Sequence, residues 1–98
     1  MLIRFVRMTF KENEVGSFIS IFESSKHKIR GFPGCNHLEL HQDYHNPNVF
    51  STYSYWDDDI ALNNYRNSKL FKEVWAKTKI LFADKPIAFS QKKHTTVE

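Results

Sequence analysis

Apolar residues crowd the first ten positions of the chain. Leu2 to Phe10 is rich in β-branched and aromatic side chains and is interrupted only by Arg4, Arg7 and Thr9, the pattern of a central strand covered on both faces. From Lys11 the period changes. Apolar residues fall at Val15, Phe18, Ile19, Phe22 and Ile29, with a gap at Ser25 and Lys26, and this stripe predicts a helix over 11–30. Glu12 and Glu14 favour its positive N-terminal end. Gly31-Phe32-Pro33-Gly34 then supplies a helix stop and a tight turn in one place. Residues 35–42 read as a second strand and 49–56 as a third, joined by a turn that Asn46-Pro47-Asn48 punctuates. Asp57-Asp58-Asp59 caps a short helix over 60–66. Asn67-Ser68 marks a kink, and Phe71, Val74, Trp75, Thr78, Leu81 and Phe82 continue at helical spacing. Asp84-Lys85-Pro86 ends that helix, 87–92 is a fourth strand, and the polar tail 93–98 frays.

The order is βαββαβ, which predicts an α+β, ferredoxin-like fold: a four-stranded antiparallel sheet with helices on one face. The other face is then bare. It carries Arg4, Val6, Met8, Phe50 and Trp56 or their neighbours of opposite parity, and either choice exposes large apolar side chains. A second copy of the sheet is the expected cover.

Length and composition agree. A chain of 98 residues makes one domain, with a core over 2–92, and buries only about 60–65% of its unfolded surface. Nine Phe in so small a chain is more apolar volume than its interior needs, which again points to a subunit interface. The formal charge of +3 is spread along the chain. Its densest cluster, Lys26-His27-Lys28-Ile29-Arg30, suits a helix C-terminus, so no nucleic-acid partner is expected. Cys35 is the single cysteine. No intrachain disulfide is possible, which fits a reducing cytoplasm. No apolar run reaches the roughly 20 residues of a membrane span, so no membrane partner is expected.

Gly31-Phe32-Pro33-Gly34-Cys35 before a polar strand, then a strand ending Tyr55-Trp56-Asp57, then Ala61, Tyr65-Arg66-Asn67-Ser68 and Phe71 together resemble the antibiotic biosynthesis monooxygenase family, over about Leu2 to Ser90. The resemblance implies a dimeric α+β barrel, a homodimer. It also implies cofactor-free oxygenation of a small aromatic or quinol-like compound, with molecular oxygen as co-substrate. Family members often carry a His three residues before the Ser of the middle helix, where this chain has Tyr65. The heme-degrading branch relies on an Asn, a Trp and a His at places that hold Val6, Tyr65 and Trp75 here. Indole offers a heme iron no lone pair, so heme handling is disfavoured. A non-catalytic or stress-response member that binds a small ligand is the main rival.

Cofactor-free oxygenation needs a proton acceptor, a donor for the developing oxyanion and an apolar wall. Tyr65 is the candidate donor to a phenolic or carbonyl oxygen. Trp56 is the candidate wall and a second donor. His37 or His41 is the candidate proton acceptor, and Asn36, Asn63 and Trp75 are candidates to bind and orient the substrate. Each has a structural alternative: Trp56 and Trp75 as core, Tyr65 as a packed residue with a bonded hydroxyl, Cys35 as a small buried side chain rather than a nucleophile. On a strand, His37, Glu39 and His41 share a face, about 6.5–7 Å apart at each step. That composition matches the two-His-one-carboxylate set of non-heme iron. The two histidines, however, are about 13 Å apart along a straight strand. No metal is expected, and a polar edge strand that deters further pairing accounts for the pattern. Leu38 and Leu40, of opposite parity, suit the helix-covered face.

Overall fold

The computed structural model describes residues 1–98. The chain runs β1 (Leu2–Thr9), a 3-10 turn (Glu12–Glu14), α1 (Val15–Arg30), β2 (Cys35–Gln42), β3 (Val49–Trp56), α2 (Asp59–Arg66), α3 (Lys69–Lys79) and β4 (Ile87–Gln91). The sheet order is β2-β3-β1-β4 and every pairing is antiparallel. This is the ferredoxin-like arrangement that the element order implies. No helix is long and apolar enough to cross a membrane.

The elements depart from the periodicity in three places. The first helix opens as a separate 3-10 turn, and the α-helix proper starts at Val15. Ser25 is no gap in the stripe: it is buried, and its hydroxyl bonds back to the Ile21 carbonyl, which satisfies it inside the helix. The last helix stops at Lys79, although Leu81 and Phe82 keep its spacing. Phe82 instead forms a β-bridge with Phe10. Lys11 N–H donates to the Leu81 carbonyl and Ala83 N–H to that of Thr9, each at 2.9 Å. These pairings take the place of further helical bonds and bury Leu81 against the end of β1.

Local chemistry explains the remaining ends. Asp58 caps α2 by accepting from Ala61 N–H at 2.9 Å. Ser68 joins the two short helices: it donates to the Tyr65 carbonyl at 2.6 Å and accepts from Phe71 N–H at 3.1 Å. Gly31 ends α1 in right-handed geometry, and Gly34 is the residue that takes positive φ, +89°.

Register assigns the faces. Leu2, Arg4, Val6 and Met8 pair with Trp56, Ser54, Thr52 and Phe50, and Arg4 and Val6 with Ser90 and Ala88. This is the face that the helices cover, so the bare face belongs to the opposite parity: Ile3, Phe5, Arg7, Tyr53, Tyr55, Ile87 and Phe89. A bulge at Asn36 shifts β2 between Cys35 and His37. The extra residue lets Cys35 pair with Trp56 under the helices while His37 turns to the bare face.

Side-chain size along the covered face decides where space remains. Bulky groups stand at its ends: Met8, Phe10 and Phe50 pack with Phe18 and Leu81 at one, and Trp56 with Cys35 and Leu62 at the other. Between them the register lines up Thr52, Ser54, Ala88 and Ser90. These short side chains cannot reach the helices, and the sheet and helices do not close over them.

Candidate functional site

The space so left is a cavity of about 630 Å³ between sheet and helices. Trp56 and Met8 line its floor, and Tyr65, Phe71, Val74 and Trp75 come down from α2 and α3. The exposed residues Asn63, Arg66 and Asn67 stand at its mouth. The Ser68 junction matters here, because it turns the chain so that Tyr65 and Phe71 meet edge to face at 5.2 Å. Trp75 then stacks on Phe71 at 5.7 Å and 12°.

Tyr65 lies over Trp56, with centroids 4.9 Å apart and planes 23° from parallel. Burial, with a smaller contribution from the neighbouring Cys35, pushes its hydroxyl well above the ordinary tyrosine range. At physiological pH the group is therefore a neutral O–H donor. No side chain or carbonyl of the chain bonds it, and Tyr65 lines the cavity, so the bonded hydroxyl expected of a packed tyrosine is not what the fold provides.

Trp56 is 1% exposed. Its indole N–H donates to Ser54 Oγ at 3.0 Å, so it supplies wall but no donor to the cavity. Trp75 is half-buried and forms cavity wall rather than core. Asn63 stands at the mouth. Asn36 lies outside the cavity, where its amide donates to Asp57 Oδ1 at 2.7 Å and to the Gly34 carbonyl at 3.2 Å. Cys35 is buried, and desolvation raises its thiol, which suits a packing role.

His37 and His41 lie on the opposite face of the sheet from Tyr65. The alternation of β2 already set Leu38 and Leu40 on the helix-covered side and the histidines on the other, as the fold has them, so joining His37 and His41 with Tyr65 in one site overlooked that parity. Glu39 bridges the two: one carboxylate oxygen meets His41 Nε2 at 2.7 Å and the other meets His37 Nε2. Hydrogen bonds from His41 and then His37 hold the Glu39 carboxyl below its usual range. No group of three or more His, Cys, Asp or Glu converges as a metal site. Beside this trio Tyr53 and Tyr55 share a hydroxyl–hydroxyl bond at 2.6 Å, and Phe5 stacks on Phe89 at 5.1 Å.

Two cavity residues escaped the sequence reading. Arg4 lies on the covered face and donates to Ser90 Oγ at 3.0 Å. Arg66 reaches the same cavity from α2. Desolvation and, next, the charge of Arg66 lower the affinity of Arg4 for its proton. The available signal was a lone cation among Leu2, Val6, Met8 and Phe10 on one strand parity. No carboxylate or imidazole lines the cavity.

Residues 1–77 match the family model for antibiotic biosynthesis monooxygenase. Among solved structures, a conserved protein from Methanosarcina mazei Go1 is similar at a TM-score of 0.89, with 21% identity over 96% of this chain and 94% of that one. A protein described as an antibiotic biosynthesis monooxygenase is similar at 0.91, with 17% identity over 97% and 100%. PA3566 from Pseudomonas aeruginosa is similar at 0.85, with 20% identity over 96% and 94%. At these identities the likeness is one of fold. No match is found among curated proteins.

Proposed function

The chain belongs to the antibiotic biosynthesis monooxygenase family, and from that premise we propose that it is a cofactor-independent monooxygenase of a small aromatic, quinol-like compound bound in the cavity. The observation that carries this reading is the lining: a largely aromatic and aliphatic wall that includes Tyr65, whose hydroxyl is protonated and unpartnered within the chain. A ring methylene beside an aryl ketone loses a proton to give an enolate. The enolate carbon adds O₂ and forms a C–O bond. The peroxide takes up a proton and loses water as the carbonyl forms. Methylene and O₂ enter, carbonyl and water leave, and the substrate's own C–H bonds supply the electrons, so the balance needs no further reductant.

The chain's part is to bind, to exclude water and to stabilise charge. Tyr65 donates to the oxygen on which the enolate charge develops. Trp56, Phe71 and Trp75 keep the reacting carbon dry. His37 and His41 face away, so the proton passes to water at the mouth rather than to an imidazole. Tyr65→Phe keeps the ring stack and is expected to lower kcat/KM by about 10²-fold with little change in melting temperature. Oxygen-electrode rates on a panel of anthrones and quinols, without flavin or metal, measure this. An unchanged rate in the variant would remove Tyr65 from the chemistry.

The missing acid–base side chain favours a second reading, a small-ligand binder without turnover. On that reading no panel member consumes oxygen, and an aromatic ligand raises the melting temperature by mass action.

The working unit is a homodimer in which a second copy covers the bare face, in a reducing compartment such as the cytoplasm. Phe89 and Ile87 stand 43% and 57% exposed on that face, beside Phe5, Tyr53 and Tyr55. Sedimentation is expected to give twice the 11.6 kDa chain mass, and Phe89→Asp is expected to shift it to the single-chain mass. A stable single-chain mass for the unaltered protein at micromolar concentration would exclude the dimer.

A further inference from the structure

We infer that the cavity selects ligands that carry an ionised oxygen, a planar aromatic carboxylate or phenolate, and that Arg4 and Arg66 are the residues that hold it; this specificity rests on the reading of the cavity as a substrate site. Three observations support it. Both arginines line the same cavity, Arg4 from β1 and Arg66 from the exposed mouth. Neither has a carboxylate within ion-pair distance: the ion pairs of the chain join Arg7 to Asp43, Lys26 to Glu23, Lys69 to Glu73, and Glu39 to two histidines. The wall contains no acidic group to offset them.

Two like charges facing an apolar, partly desolvated space raise the free energy of the empty site. An anion between them relieves that cost, and low-dielectric walls focus the field on it. Arg4 uses one N–H on Ser90; the remaining donors of its fork can meet a carboxylate or phenolate oxygen side by side. The burial of Arg4 and the charge of Arg66 both depress Arg4's proton affinity, which marks the repulsion a bound anion would remove. The aromatic body of the ligand then lies against Phe71 and Trp75. Because the site lacks a base, a substrate that arrives ionised, or ionises under the pull of these cations, suits it better than one that must be deprotonated by a side chain.

The test compares 2-naphthoate with its neutral carboxamide, 2-naphthamide, by titration calorimetry at low salt. The unaltered protein is expected to bind the naphthoate at least about tenfold more tightly. Arg66→Gln, at an exposed helix position, is expected to reduce that preference, and Arg4→Gln with Arg66→Gln to abolish it while naphthamide affinity stays unchanged. Lysine at both positions is expected to keep most of the preference. Equal affinities in the unaltered protein, no measurable naphthoate binding, or a preference that survives Arg66→Gln undiminished would each overturn the assignment. Oxygen uptake is read separately. A naphthoate preference in a protein that consumes no oxygen keeps the anion site and discards the oxygenase. Oxygen uptake with no preference for the anion does the reverse.

Discussion

Trp56→Ala is expected to cost about 3–5 kcal/mol of stability, a fall in melting temperature of about 4–8 °C per kcal/mol for a chain of this size. The indole is 1% exposed, the largest fully buried side chain beside Phe10. It packs with Cys35 and Leu62, meets Phe32 edge to face at 6.4 Å and carries Tyr65 on its face. Its removal leaves a hole continuous with the cavity, so water enters and the site loses its floor together with its stability. Trp56→Phe separates two contributions. It keeps an aromatic wall and removes the hydrogen bond to Ser54, at a cost of about 1–2 kcal/mol. Urea or thermal denaturation at one fixed protein concentration measures both, since a dimer's transition depends on concentration. An alanine variant that melts with the parent would mean that Trp56 is no part of the core.

The second large effect belongs to Gly34. Its φ of +89° lies in the left-handed region, and a Cβ built there would sit 2.5 Å from the Ala61 Cβ. The turn is held against the start of α2: Asp57 N–H donates to the Gly34 carbonyl at 2.9 Å, and Asn36 clips the same carbonyl to Asp57. Gly34→Ala is expected to cost about 1–2 kcal/mol for the backbone conformation and about 1–3 kcal/mol more for overpacking, because Ala61 is on a helix and cannot swing aside. A double-mutant cycle with Ala61→Gly isolates the second part. Ala61→Gly alone weakens the helix by about 1 kcal/mol, yet it is expected to restore part of the stability of Gly34→Ala. Additive losses in the double variant would show that the two residues do not touch. The displaced α2 carries Tyr65 and Arg66, so the same variant is expected to weaken cavity binding.

Much of the fold was legible because local signals agree. The change of period at Lys11 and the Gly31–Gly34 stop bound the first helix and β2, and Asp58 and Ser68 announce the ends of the short helices. The reading failed where tertiary pairing overrode spacing. Leu81 and Phe82 keep helical period, but Phe10 offers them a strand partner. Ser25 looks polar on a helical wheel, yet its own backbone satisfies it. The site was legible in part. Tyr65, Trp56, Asn63 and Trp75 do line one cavity. Asn36 is taken up by the turn, Trp56 has already given its N–H to Ser54, and the histidines face the other way.

Side-chain alternation, helical spacing and turn chemistry are properties of neighbours along the chain. They determine that this is a βαββαβ chain, that His37, Glu39 and His41 share one strand face, and that Leu38 and Leu40 share the other. For β2 the apolar pair Leu38 and Leu40 already points to the helix-covered side, and there they pack. Which parity of β1 and β3 lies under the helices depends on the Asn36 bulge and on the cross-strand register, and so only the tertiary structure could decide it. The same holds for the cavity. Thr52, Ser54 and Ala88 come from two strands distant in sequence, and they leave room only because pairing lines them up with Arg4 and Val6. Arg4 and Arg66 are separated by most of the sheet's connectivity, and their meeting at one cavity is a consequence of the fold alone.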